Sequence, residues 1–213
     1  MKVNETFLSL QGEGYFTGTP AFFLRLSGCN LKCSFCDTQH QTYREMTEDE
    51  ILLEAVHSGM HHTVITGGEP ALQLTQSLVD SLHRAGLFVQ VETNGTLPLP
   101  DGIDWVTCSP KVPKTLSNSQ TLSNSSLKGE KPGKGLKIDE LKVLYKGEGD
   151  NPERLLESLP FGGDGGGPRL YLQPLDTGDA EQNRAILRSC IDYIMQHPRW
   201  RLSLQTHKLL GIK

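Results

Sequence analysis

Three cysteines crowded into eight positions, Cys29-x3-Cys33-x2-Cys36, constrain this chain more than any other feature. They mark a ligand-bearing loop, and it follows directly on the apolar run Phe22 to Leu26, which reads as a strand. The other two of the five cysteines, Cys108 and Cys190, stand apart in apolar surroundings. An odd, clustered set argues for thiolate ligation in a reducing compartment and against a disulfide scaffold. Thiolates are the soft ligands that iron–sulfur clusters require, yet electron-transfer clusters ordinarily take four. Three leave one iron of a four-iron cluster without a protein ligand, and so open to a cofactor or substrate. Structural zinc is the alternative, because His40 lies four positions after Cys36 and completes a Cys3His set. Spacing alone leaves both open.

A length of 213 residues suits one sizeable α/β domain, and a single domain over 1–213 is expected. With 21 Lys and Arg against 25 Asp and Glu, the formal net charge is −4. No basic field is available for nucleic acid or an anionic membrane, which turns attention to small-molecule ligands. The opening Met-Lys-Val-Asn-Glu-Thr-Phe lacks the charged-then-apolar pattern of a signal peptide. No apolar run approaches the roughly 18 residues that span a bilayer. A cytoplasmic location is expected.

Strand signals recur at Phe22 to Leu26, His62 to Thr66, Phe88 to Glu92, Trp105 to Cys108, Leu141 to Tyr145, Leu170 to Gln173 and Leu202 to Gln205. Helical patterns fall at Thr47 to Ser58, where Thr47 and Glu50 form a capping box, at Leu74 to Ala85 before Gly86, and at Glu181 to His197. Such alternation predicts an α/β fold with a mostly parallel sheet, whose site sits at the carboxyl ends of its strands. Thr66-Gly67-Gly68-Glu69, Glu92-Thr93-Asn94-Gly95, Ser109-Pro110-Lys111 and Gln173-Pro174-Leu175-Asp176 each begin at such an end. These four polar segments are expected to share one rim. Residues 114–135, rich in Ser, Asn, Lys and Gly with a near-duplicated Thr-Leu-Ser-Asn-Ser, read as a flexible insertion, and 162–167 as a second flexible connection.

Cys29, Cys33 and Cys36 after the first of these strands, with Gly67-Gly68-Glu69-Pro70 downstream, resemble the radical S-adenosylmethionine (SAM) superfamily. The resemblance implies a partial, incomplete barrel of the TIM type and a 4Fe-4S cluster whose open iron takes the amino and carboxylate groups of SAM. An electron from the cluster then cleaves the sulfonium, giving methionine and a 5′-deoxyadenosyl radical that removes hydrogen from substrate. No side chain is assigned to the bond-breaking itself, since the cofactor delivers the radical. Gly68 and Glu69 are expected at the methionine amino group, the glycine admitting close approach and the carboxylate matching an ammonium. Ser109, Pro110, Lys111, Gln173, Pro174, Leu175 and Asp176 are expected at the ribose and the methionine carboxylate.

Further motifs extend the likeness along nearly the whole chain. Phe7 to Gly14 (Phe-Leu-Ser-Leu-Gln-Gly-Glu-Gly), Pro20 to Arg25, Gly28 to Leu31, Cys36-Asp37-Thr38, Glu92 to Gly95 and Trp200 to Lys208 together resemble the 7-carboxy-7-deazaguanine synthase family. That resemblance implies magnesium-dependent conversion of 6-carboxy-5,6,7,8-tetrahydropterin to 7-carboxy-7-deazaguanine with loss of ammonia, in 7-deazapurine biosynthesis such as that of queuosine. It also implies an electron donor such as flavodoxin or ferredoxin, and a homodimer. Arg25 suits the substrate carboxylate as a bidentate partner. Leu10, Gln11, Gly12, Glu13, Thr66 and His207 are expected at the pterin, Lys213 near it through the chain's terminal carboxylate, and Thr38 on the magnesium ion. The first two cysteines keep the plain superfamily spacing, where some relatives have a longer loop. A glycyl-radical activase and a zinc-stabilised binding module are the competing functions; Gln11-Gly12-Glu13-Gly14 and Gln205-Thr206-His207 favour the synthase over the activase.

Overall fold

The computed structural model describes residues 1–36, 38–39, 41–111, 137–157 and 167–213. Asp37, His40, the expected flexible insertion at 114–135 and the glycine-rich stretch 162–166 lie outside the described residues. The chain divides into two compact units. The first holds Met1–Thr93, Leu99–Thr107 and Gln205–Lys213, and the second Asn94–Pro98 and Cys108–Leu204.

The first unit is built on β1 (Lys2–Leu10), β2 (Pro20–Leu26), β3 (Arg44–Glu45), β4 (His62–Gly67), β5 (Phe88–Thr93) and β6 (Trp105–Cys108), whose last residue passes to the second unit. Their spatial order is β3-β1-β2-β4-β5-β6. β2, β4 and β5 run parallel, while β1 lies antiparallel to both β2 and β3. The sheet ends at the two-residue β3 rather than closing on itself there, which suits a partial barrel. Residues 2–10 carry no strand signal in their apolar pattern, yet they form the longest strand among the described residues. Pairing with β2 on one side and with only two residues of β3 on the other leaves most of β1 half-exposed, so polar residues are tolerated along it.

Strand pleating sorts the side chains into two faces. Phe22, Leu24, Leu26, Ile65, Val89, Val91 and Val106 pack with Ile51 and Ala55 of α1 (Glu48–His57) and with Leu78, Val79 and Leu82 of α2 (Gln76–Arg84). The capping box at Thr47 and Glu50 starts α1, and the Thr75 hydroxyl both caps α2 and donates to Glu48 at 2.6 Å, joining the two helix starts. Ala21, Phe23 and Arg25 of β2 take the opposite, inner face, where Ala21 and Phe23 pack with Val64 and Phe7. His62, Gln90 and Thr107 form a buried hydrogen-bonded row across the same face, with distances of 2.8 and 3.3 Å. Tyr15 stacks on Trp105 near this row, and Phe16 meets His62, Phe88 and Trp105 edge-on.

The second unit is a parallel set of β7 (Glu140–Tyr145), β8 (Arg169–Pro174) and β9 (Trp200–Leu202) with α3 (Pro152–Glu157) and α4 (Ala180–Gln196). Leu141, Val143, Leu172, Ile186, Cys190 and Trp200 make its core, and the Trp200 indole donates to Glu153 at 2.7 Å. Burial among these residues pushes the Cys190 thiol up to about 12, as expected of an inert core cysteine. The last strand lies earlier than the expected Leu202 to Gln205, because Trp200 is the large side chain that this core buries and it pairs with Leu170. Gln205 leaves the strand to start α5 (Thr206–Leu210), which belongs to the first unit. Strands and helices thus follow the α/β alternation that the sequence predicts. No helix among the described residues is long and apolar enough to cross a membrane.

Candidate active site

β2 ends at Leu26, and the cysteine loop begins two residues later at Gly28, which adopts φ +90°. The base of this loop is fixed. Ser27 donates its N–H to Lys2 O at 2.9 Å and its hydroxyl to Thr42 O at 2.6 Å, and Asn4 adds a second donor to Thr42 O at 2.7 Å. Between these posts Cys29 and Cys33 are half-buried, Cys36 is exposed, and no disulfide links them. Bonds inside the loop are local, such as Cys36 N–H to Cys33 O at 3.2 Å. Among the described residues no three His, Cys, Asp or Glu side chains are already gathered as a metal site. Three thiols outside any disulfide on one loop fit a cluster that brings its own iron and sulfide framework, and leave one iron for a ligand from outside the protein.

Gly67 and Gly68 lie directly against that loop. Gly67 takes φ +131°, and a Cβ there would come within 2.1 Å of Leu26 O; one at Gly68 would come within 1.9 Å of Gly28 O and 3.1 Å of the Cys29 Cβ. Backbone hydrogen bonds lace the segment in place, Gly68 N–H to Leu26 O at 3.0 Å and Glu69 N–H to Gly28 O at 2.9 Å. Only glycine permits this approach. Glu69 is fully buried, its carboxylate accepting from Ala71 N–H at 3.0 Å and from the Thr93 hydroxyl at 2.7 Å, where it caps the single 3-10 turn Pro70–Leu72. The sequence suggests this carboxylate as a partner for an ammonium; in the structure it also holds the turn. The glycine backbone before it is half-buried.

Three further clusters form on the first unit's inner side. Glu92, at the end of β5, accepts from the Thr66 hydroxyl at 3.0 Å and the Gln11 amide at 3.0 Å. Gln11 in turn accepts from Glu13 N–H at 3.2 Å. The Gln11-Gly12-Glu13 turn is zipped to the start of α5: Thr206 donates both its N–H and its hydroxyl to Gly12 O, each at 2.9 Å, and Gln205 donates to Glu13 at 3.0 Å. The His207 ring lies over Gly12 so closely that a Cβ there would meet its Nδ1 at 2.1 Å. In the third cluster Glu5 accepts from Arg25 Nε at 3.1 Å and from Lys213 Nζ at 2.5 Å. Burial raises the Glu5 pKa, but Lys213 and then Arg25 outweigh it and hold the carboxyl below its ordinary value.

The contacts therefore bring Gln11 to Thr66, Gly12 and Glu13 to His207, Arg25 to Lys213, and Gly68 to Cys29. Leu10 pairs with Pro20 and lines an open cavity of about 590 Å³ with Leu8, Ser9 and Ile212, and Thr38 is half-buried just beyond Cys36. In the second unit Ser109 and Pro110 follow β6 and Lys111 comes next, while Gln173 and Pro174 end β8. Leu175 N–H bonds to Tyr145 O at 2.8 Å, and Gln173 accepts from the Ser203 hydroxyl at 3.2 Å. Asp176 is exposed and accepts from Gly178 N–H at 3.0 Å and the Asn183 amide at 2.8 Å, shaping the turn into α4. Glu5 emerges only here, and the alternation Glu5, Phe7, Ser9 would have marked it had 2–10 been recognised as a strand.

Residues 24–111 match the Radical SAM superfamily. The 7-carboxy-7-deazaguanine synthase of Bacteroides thetaiotaomicron is 47% identical over 212 residues, covering 100% of this chain and 98% of its own length. The protein of that name from Nitratidesulfovibrio vulgaris is 39% identical over 237 residues, with 99% and 98% covered. Among solved structures, that of QueE from Escherichia coli aligns with a TM-score of 0.70 at 28% identity, over 95% of this chain and 92% of that one.

Proposed function

Since this chain belongs to the 7-carboxy-7-deazaguanine synthase family and carries a radical SAM domain, we propose a division of labour among its own residues for that reaction. It is a radical SAM enzyme of 7-deazapurine biosynthesis, and its superfamily uses a 4Fe-4S cluster and SAM. The substrate we assign is 6-carboxy-5,6,7,8-tetrahydropterin, which rearranges to 7-carboxy-7-deazaguanine and ammonia. The single observation that carries the assignment of parts is the seating of Gly68 on Gly28 O and Cys29, which sets a bare backbone ridge beside the thiol loop.

Cys29, Cys33 and Cys36 hold the cluster. When bound, it supplies the electron that splits the sulfonium and so yields the hydrogen-abstracting radical. The Gly67-Gly68 backbone and the Glu69 carboxylate receive the methionine amino group, the carboxylate steadied by Ala71 N–H and the Thr93 hydroxyl. Ser109, Pro110 and Lys111, with Gln173, Pro174, Leu175 and Asp176, are assigned to the ribose and methionine carboxylate within one functional domain. Arg25 takes the substrate carboxylate, because its bond to Glu5 uses Nε and its two terminal nitrogens make no hydrogen bond to the described residues. Gln11, Thr66 and Glu92 form a polar shelf for the pterin edge, extended by Leu10, Gly12, Glu13, His207 and Lys213. Thr38 offers a hydroxyl to magnesium, a hard ion content with one protein oxygen when water and substrate provide the rest.

An electron donor of the flavodoxin or ferredoxin type, a homodimer and a cytoplasmic setting belong to the same proposal. Identity over the full chain favours the synthase, and no observation speaks for an activase or a zinc module. Anaerobic turnover with the carboxylated tetrahydropterin, SAM, a reductant and magnesium tests the assignment. Equimolar deazapurine and ammonia, both reduced when magnesium is withheld, are expected; an intact cluster that cleaves SAM without forming the deazapurine would refute it.

A further inference from the structure

Glu5 stands opposite Arg25 in the β1–β2 ladder, and its two carboxylate oxygens are divided between two cations from distant parts of the chain. Oε1 accepts from Arg25 Nε at 3.1 Å, and Oε2 from Lys213 Nζ at 2.5 Å. Both cations also lie near the face of Phe7, two residues along β1, with the Arg25 Cζ 5.5 Å and the Lys213 Nζ 5.2 Å from the ring centroid. Phe7 is itself fixed by stacking on Phe23 at 4.9 Å. Ion pairs open to solvent, as the exposed Lys213 and half-buried Arg25 make with Glu5, contribute little by themselves, so stability is not the main thing this arrangement offers. Its consequence is directional. A guanidinium held through Nε has its terminal fork left over, and that fork matches a carboxylate with two parallel N–H donors. A long side chain that already has its direction loses less freedom on meeting a ligand.

We propose that Glu5 is a positioning residue for the ligand's carboxylate, aiming the terminal nitrogens of Arg25 while its own second oxygen is anchored by Lys213. The inference rests on the assignment of Arg25 to the substrate carboxylate, and deepens it by naming what sets the arginine's direction. Glu5 does not touch substrate; it acts through Arg25. Its removal therefore weakens only ligands that carry the carboxylate, whereas a general structural role would weaken all of them.

The test is anaerobic equilibrium binding to the reconstituted, SAM-loaded full chain, with 6-carboxytetrahydropterin and with tetrahydropterin lacking the carboxylate as probes. Arg25→Ala is expected to bind the carboxylated probe about 100-fold more weakly, Glu5→Gln about tenfold, and Glu5→Gln combined with Arg25→Ala no more weakly than Arg25→Ala alone. The carboxyl-free probe is expected to bind all of them like the parent enzyme. If Arg25→Ala binds the carboxylated probe normally, the Arg25 assignment fails and takes the inference with it. If Arg25→Ala is weak while Glu5→Gln is normal, the inference alone fails. Equal losses for both probes in Glu5→Gln, or a further loss on top of Arg25→Ala, would also overturn it.

Discussion

The two faces of the first unit's sheet are made by the same strands and have opposite chemistry. On the outer face Phe22, Leu24, Leu26, Ile65, Val89, Val91 and Val106 are all buried apolar side chains under two helices. One position along each strand, the inner face carries Arg25, Thr66, Gln90, Glu92 and Thr107. The outer face gains from being uniform, since burial of apolar area is non-directional. Each polar residue named on the inner face makes at least one hydrogen bond of defined geometry, and Arg25 keeps its terminal nitrogens for a ligand. A strand can thus supply cohesion with one set of residues and a reaction surface with the next, so that damage to either should be separable.

Gly68→Ala should have the largest effect on the reaction. Its Cβ would press on Gly28 O and Cys29, displacing the ridge from the thiol loop, so SAM cleavage is expected to fall about 100-fold or more, and because backbone must give way the melting temperature is expected to fall as well. Assay of SAM cleavage beside a thermal melt checks both halves. Leu24→Ala attacks the other face: a fully buried leucine is lost, and unfolding free energy should drop by about 2–5 kcal/mol in a denaturant titration. Substrate affinity of the folded fraction should stay within about twofold, a limit well under one lost hydrogen bond. Gly12→Ala sharpens the contrast on the inner side, where the new Cβ must push the His207 ring aside and KM should rise about tenfold. Steady-state kinetics with unchanged iron content would support that reading.

The smallest expected effect concerns pH. Burial, partly opposed by the bond to Gln90, holds the His62 imidazole below its ordinary 6.5, so the folded protein keeps it neutral where the unfolded chain protonates. The stability it allows is fully present above about 6.5 and declines as pH falls from there toward the folded pKa. Melting temperatures between pH 7.5 and about 5.5 should fall further for the parent than for His62→Gln.

Elements with a continuous apolar signal were legible from the sequence: β2, β4 to β8, α1, α2 and α4 all lie where their patterns indicate, give or take a few end residues. β1, β3, α3 and α5 were not. β1 is half-exposed and the others are two to six residues long, so none shows a clear period. The same division runs through the site. Cys29, Cys33, Cys36 and Gly67-Gly68 announce themselves because spacing and residue type carry their chemistry locally. The interior position of Glu69 and the link from Glu5 to Lys213 depend on strand register and on a chain end 208 residues away, which no local pattern encodes. Asp176 shows the converse, since a carboxylate that sequence suggests for a cofactor also serves the turn into α4.

The most direct test of the central claim, a three-thiolate cluster with one iron open to SAM, is electron paramagnetic resonance of the anaerobically reconstituted and reduced protein before and after SAM is added. The account predicts a 4Fe-4S signal that shifts on addition of SAM and is absent from Cys36→Ala. A spectrum indifferent to SAM, or a signal that survives the loss of Cys36, would contradict it.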